Sequence, residues 1–287
     1  MRLKDDRYIQ YNTVVDTETG EHWRSEETVF KQKRIIDSTE KQVTDLRRGD
    51  SRKFTSIKIK QYSTLIEKLS ATQLGYLLLL SSYQRYDTGV LYIDDQANIP
   101  MEISQIAEVL CKSELTSKRL ISSLIELKAI FEIEVKYGKR TYTGYKVCND
   151  FFYKGASPSR KETLNSIKQY IEEIREVYEE NGAAATGWLS KLLPYVDKQT
   201  NFICFNPDRE ILYEDMDAMT RRDIELATNA VKRDVSLRIR TMKIHGYMVF
   251  AEIVTGGRYR KIKINPLIYN RMSGDVRSAV LKDFTIK

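Results

Sequence analysis

From Phe54 onward the chain carries regular hydrophobic periodicities; before it the sequence is polar and charged. "FTSIKIK" alternates apolar and polar residues, the period of a half-buried strand. "YSTLIEKLSATQLGYLLLLSSYQRY" has helical spacing in two pieces parted near Ser70, a residue type suited to capping the second piece. "TGVLYID" predicts a short strand entered through Gly89. Ser104 precedes a short helix, "QIAEVL", which "CKSE" breaks. "LTSKRLISSLIELKAI" then predicts a longer helix with Leu120, Leu124 and Leu127 on one face. "FEIEVKYGKRTYTGYKV" reads as a hairpin turning at Tyr137-Gly138. Helix, short strand, helix, turn, helix, hairpin is the order of a winged helix-turn-helix domain.

The pattern then starts again. "KGASPSRKE" from Lys154 has linker composition. After it, Leu164, Ile167, Ile171, Ile174 and Val177 fall at helical spacing up to Gly182, predicting one amphipathic helix that braces the two halves, with pairing to its copy in a dimer as the alternative. "SQIAEVLCKSELTSKRLISSLIELKAIF" from Ser104 aligns without a gap to "RRDIELATNAVKRDVSLRIRTMKIHGYM" from Arg221, at an offset of 117. At that offset Ala107 faces Ile224, Glu108 faces Glu225, Leu120 faces Leu237 and Leu127 faces Ile244. A second hairpin, "MVFAEIVTGGRYRKIKI", follows, turning at Gly256-Gly257. Upstream, "GWLSKLLPYV" echoes "GYLLLLSSYQ", and "NFICFN" echoes "GVLYID". The expectation is an α+β, predominantly helical chain with two tandem winged helix-turn-helix domains. Its segments are a polar arm over 1–53, a first domain over 54–155, a linker helix over 156–182 and a second domain over 183–287. Within the arm a short hairpin turns at Thr19-Gly20, with Trp23 and Phe30 as packing anchors.

Composition sharpens this picture. The 287 residues are 41% hydrophobic, enough for a sizeable core. The net charge is +7. The window Lys232 to Lys263 has nine basic and two acidic residues, and Leu115 to Val147 has seven and three, together +11, so the remainder is net acidic. That asymmetry suits a polyanionic partner met by the two helix-hairpin segments. Cys111, Cys148 and Cys204 are too scattered for a disulfide framework and read as small core residues. No run approaches a membrane span, and the N-terminus lacks an apolar signal region, so a cytoplasmic location without membrane contact is expected.

A helix read in the major groove turns its apolar face to the core and short polar or cationic side chains to the bases. In the first domain the candidates are Thr116, Ser117, Lys118 and Arg119; in the second, Lys232, Arg233, Ser236, Arg238, Arg240 and Lys243. The wings would meet phosphates through Lys136, Lys139 and Arg140, and through Arg258, Arg260, Lys261 and Lys263. The competing reading is that winged helices also serve protein contacts and that alternating arginines form solvated faces. No phosphate-loop motif occurs, His22 and His245 stand far apart, and "YEDMD", with Glu214, Asp215 and Asp217, reads as a helix start rather than a metal site. The expectation is therefore a non-enzyme without cofactor or metal.

"FTSIKIKQYSTLIEKLSATQLGYLLLL", "ISQIAEVLCKSELTSKRLISSLIELKAI" and the ending "YKVCNDFFYKG" resemble the winged-helix replication proteins of Firmicute plasmids and phages over roughly residues 10 to 155. The tandem layout is similar to two-winged-helix plasmid initiators, in which one domain can also dimerise. The resemblance implies a sequence-specific double-stranded-DNA-binding protein of a phage or plasmid, acting as a non-catalytic replication initiator. Its implied partners are duplex DNA, a second copy of the chain, and host replication or transcription machinery. A phage transcriptional regulator and a protein-binding adaptor are the alternatives.

Overall fold

A computed structural model of the chain describes residues 13–15, 22–24, 52–155, 165–208, 216–255, 259–271 and 281–285. The chain divides into two compact units, the second comprising Arg52–Met272 and Val276–Lys287. In the first unit β1 (Thr13–Val15) pairs antiparallel with β2 (His22–Arg24), the hairpin expected there. Its turn and Phe30 lie outside the described residues.

The second unit opens with β3 (Phe54–Lys58), α1 (Ile59–Lys68) and α2 (Ala71–Ser81). Ser70 caps α2 as its residue type suggests: the hydroxyl accepts from the Gln73 N–H, while the Gln73 side chain accepts from the Ser70 N–H at 3.0 Å. Next come α3 (Ile103–Val109), α4 (Glu114–Glu126), the hairpin β4 (Ile130–Tyr137) and β5 (Arg140–Val147), and the short β6 (Phe152–Tyr153). The succession repeats as β7 (Ser166–Tyr170), α5 (Ile171–Ser190), α6 (Arg221–Thr228), α7 (Lys232–Thr241), the small pair β8 (Lys243–Ile244) and β9 (Tyr247–Met248), the hairpin β10 (Phe250–Thr255) and β11 (Tyr259–Ile264), and β12 (Tyr269–Asn270). With so many strands the protein is mixed α and β rather than predominantly helical.

The amphipathic helix expected from Leu164 begins only at Ile171, because residues 166–170 are drawn into a sheet as β7. At Gly182 (φ +79°) the helix breaks as expected, but it resumes at once and runs to Ser190. The two pieces of α5 therefore match α1 and α2. Residues 156–164 of the expected linker helix lie outside the described residues, whereas residues 166–182 are the opening of the second copy. Its offset from the first copy is 112: Gly75 matches Gly187, and the bridge Gln84↔Leu91 matches Val196↔Ile203. Gly89 and Asn201, again 112 apart, share positive φ.

Downstream the offset is 118, one more than the sequence alignment gave. Buried Ile106, Ile121 and Leu124 correspond to buried Ile224, Ile239 and Met242. Cys111 and Asn229, which close α3 and α6, both adopt the left-handed conformation, at φ 52° and 50°. A third strand joins each hairpin through single bridges, Val90↔Lys146 in one half and Phe202↔Lys263 in the other.

The halves meet in one four-stranded sheet of order β12-β7-β3-β6. β3 and β7 pair antiparallel, with Phe54↔Tyr170 at one end, Lys58↔Ser166 at the other and Ser56↔Lys168 between them. Ser56 and Lys168 are equivalent positions, so a local twofold axis passes between them. The outer pairs obey it too, Ile57↔Phe152 answering Gln169↔Tyr269. Beside the sheet, α2 crosses the second piece of α5 on its small residues. A Cβ at Gly75 would lie 2.0 Å from the Ala183 carbonyl oxygen, and one at Gly187 would lie 1.7 Å from that of Ala71. Only glycine permits that approach, and it occurs at two symmetry-related points. One large buried cluster follows, running from Ile57, Leu77 and Leu124 through Trp188 to Ile224 and Ile264, with a small second one of Phe202, Cys204 and Met216.

Candidate nucleic-acid interface

In the first half, α3 anchors the pair by burying Ile106 and Ala107. The Ser113 hydroxyl accepts from the Thr116 N–H at 3.3 Å, satisfying an otherwise orphaned donor at the start of α4. Leu120, Ile121 and Leu124 fix α4 to the core, together with the fully buried Ser117. Ser117 was expected to face DNA. It instead occupies the inner face, and its hydroxyl has no hydrogen-bond partner among the described residues. Thr116, Lys118 and Arg119 point outward, joined by Glu114, Leu115 and Ser122. On the hairpin, Lys136, Lys139 and Arg140 are exposed. None of these five cations is ion-paired among the described residues.

In the second half, Thr220 caps α6 through a reciprocal pair with Asp223. The Thr220 hydroxyl and backbone N–H, both donating to the Asp223 carboxylate, hold its pKa below the usual range. Val235, Ile239 and Met242 seat α7 on the core. The N-cap of α7 is Val231, whose side chain caps nothing. Lys232, Arg233 and Arg240 are exposed, and among the described residues only Arg240 is tethered, its Nε donating to the Ser236 carbonyl at 3.1 Å. Ser236 is half-buried on the same helix, and Lys243 is exposed just beyond it.

Four expected contacts stand differently. The Arg238 guanidinium packs over the Trp188 ring at 5.0 Å, and half-burial lowers its pKa. Arg238 occupies the core-facing position equivalent to Leu120, so it mounts the helix instead of projecting from it. Lys261 is buried. Lys263 pairs with Asp283 at 3.3 Å and lies over the Phe202 ring. Arg260 is exposed but shares Glu252 with Arg221, at 3.4 and 2.7 Å. Arg258 lies outside the described residues.

The fold brings forward residues that periodicity had assigned to the core or passed over. Leu115 and Leu237 are 60% and 51% exposed on the outer faces of α4 and α7, where a thymine methyl is a suitable apolar partner. Ser122 and Arg240 are equivalent and complete those faces. Asp217, read as part of a helix start, lies beside the extended bridge Cys204↔Ala218; Glu214 and Asp215 lie outside the described residues. Of the cysteines, Cys148 and Cys204 are buried as expected, whereas Cys111 is exposed in the α3–α4 turn.

Among the described residues no group of three His, Cys, Asp or Glu is placed to hold a metal ion. No helix among them is long and apolar enough to cross a membrane. No protein-family model, curated protein or solved structure matches this chain.

Proposed function

We propose that the chain is a sequence-specific duplex-DNA-binding protein made of two winged-helix modules, with α4 and α7 as recognition helices. In this reading it serves a phage or plasmid as a non-catalytic replication initiator, the role implied by the resemblance of its first half. The observation that supports it best is the recurrence of one helix–turn–helix–hairpin unit. In each copy the second helix is held by an apolar face and carries unpaired cations on the opposite face. A solvated helix face is ordinary; two equivalent ones, each beside an exposed or basic hairpin, match the way such modules meet a major groove and its flanking phosphates.

The test is binding of labelled duplex across a salt series. The logarithm of affinity should fall with the logarithm of salt by about 0.9 per phosphate neutralised. A response that stays flat would leave the adaptor reading in place of this one. Mapping bound sites across the replicon separates initiator from regulator: repeated sites at a replication origin support the first, and sites over promoters support the second.

A further inference from the structure

The two hairpins differ in one contact that the repeat does not share. The single bridges Val90↔Lys146 and Phe202↔Lys263 make Lys146 and Lys263 equivalent positions on β5 and β11. Lys146 is half-buried and has no ion-pair partner among the described residues. The Lys263 side chain is only 12% exposed, and its ammonium meets the Asp283 carboxylate at 3.3 Å. That carboxylate belongs to a single 3-10 turn, Leu281–Phe284, which lies against β9 and β10. Three contacts hold the turn there. They are the ion pair itself, the fully buried Phe284 side chain, and the bridge from Thr285 to Tyr247.

A carboxylate and a phosphate offer an ammonium the same partner, an anionic oxygen at ion-pair distance. We propose that residues 281–285 form an autoinhibitory strap on the second hairpin, in which Asp283 holds the place on Lys263 that a backbone phosphate takes when the strap is released. The proposal rests on the DNA-binding reading above and adds a regulatory contact to it. An ion pair whose carboxylate reaches solvent is weak, because water and salt screen it, so a polyanion can displace Asp283. Phe284, by contrast, is enclosed, and keeps the carboxylate beside Lys263 at high effective concentration. The strap therefore yields to a duplex already held elsewhere on the protein sooner than to a passing anion. It also explains why equivalent lysines stand differently: the first hairpin meets phosphate without a competitor, and the second meets it conditionally.

The probe is a mixed-sequence duplex, whose binding reads phosphate contacts and not bases. Affinity is measured across a salt series for the unaltered chain and for Asp283→Asn, with thermal melting to check that the variant is folded. The variant should bind more tightly, and its logarithmic salt slope should be steeper by about 0.9, because Lys263 then neutralises one further phosphate. Its advantage should grow about 3.5-fold between roughly 200 and roughly 50 mM salt. Adding Lys263→Ala to Asp283→Asn should return the slope to that of the unaltered chain. Hydrogen exchange gives a readout that needs no variant. The amides of Asp283, Phe284 and Thr285 should exchange faster when saturating duplex is added to the unaltered chain. A slope unchanged or shallower in folded Asp283→Asn, or amides that exchange no faster with duplex bound, overturns the proposal and leaves DNA binding intact. No binding of duplex at low salt by either chain removes the DNA-binding reading, and the proposal with it.

Discussion

The two halves share a scaffold and differ in how they present charge. In the first, the hairpin carries exposed cations, Lys136, Lys139 and Arg140, that are unpaired among the described residues, while α4 begins with Glu114 and Leu115. In the second the emphasis is reversed. The described hairpin cations are buried or neutralised: Lys261 is enclosed, Lys263 meets Asp283, and Arg260 and Arg221 share Glu252. There α7 carries exposed Lys232 and Arg233, unpaired among the described residues. Exposed ion pairs contribute little to stability, so the pairing in the second hairpin matters chiefly because it removes charge from the surface. On the proposed reading the first module holds the backbone through its wing, and the second reads bases through its helix.

The symmetric crossing should give the largest effects. Gly75→Val and Gly187→Val each drive a side chain into a backbone carbonyl, which cannot swing aside. Each should cost about 3 kcal/mol or more in chemical denaturation, overpacking against backbone being at the top of the usual range. Losses of similar size at the two positions support the twofold relation; a loss at one alone breaks it. The proposed recognition helices, α4 and α7, come next. Lys232→Ala with Arg233→Ala should weaken DNA binding by about 2–4 kcal/mol, more than Lys118→Ala with Arg119→Ala does, because a bidentate arginine contributes about 1–3 kcal/mol of discrimination. Arg238→Ala, by contrast, should lower the melting temperature by removing the guanidinium from the Trp188 ring, and should leave the salt slope unchanged.

A smaller effect is expected at the wings. Removing Lys136, Lys139 and Arg140 together should reduce the salt slope by about 0.9 for each phosphate that is no longer neutralised. Lys263→Ala should leave that slope intact. An equal change from both wings would erase the division of roles. The helix caps should give the smallest difference. Ser113→Ala should cost about 1 kcal/mol, and Val231→Ser should add roughly 0.5–1 kcal/mol by supplying α7 with the side-chain cap it lacks. Both are measurable by thermal melting.

Much of this architecture is legible in the sequence, and the errors have identifiable physical origins. Ser70 before an apolar run and the alternation of β3 mark their elements, and the break expected at "CKSE", 111–114, falls one residue earlier, at 110–113. The repeat is visible, but its register is displaced by one residue. The sequence pairs Leu120 with Leu237 because both are leucine; the fold pairs buried Leu120 with Arg238 and leaves Leu237 outside. Patterning assumes that apolar side chains point inward and polar ones outward. Here Ser117 is buried, and Arg238 finds a buried indole for its flat face, so the rule fails where it was most needed. The strand β7 was hidden for a related reason. Ile167 and Ile171 also suit a helical stripe, and only pairing with the distant β3 decides the local structure. The twofold relation depends on which edges of two strands meet, which no local periodicity encodes.

The shared sheet also bears on how separable the halves are. Strands β3 and β7 are hydrogen-bonded on both flanks, and the outer positions fall to the two-residue strands β6 and β12. A cut between β6 and β7 that parted the fragments would leave each with a five-residue strand bare along one side, offering its amides and carbonyls to any extended segment nearby. Such fragments should re-associate or precipitate rather than persist alone, so covalent continuity here also protects the molecule from aggregation.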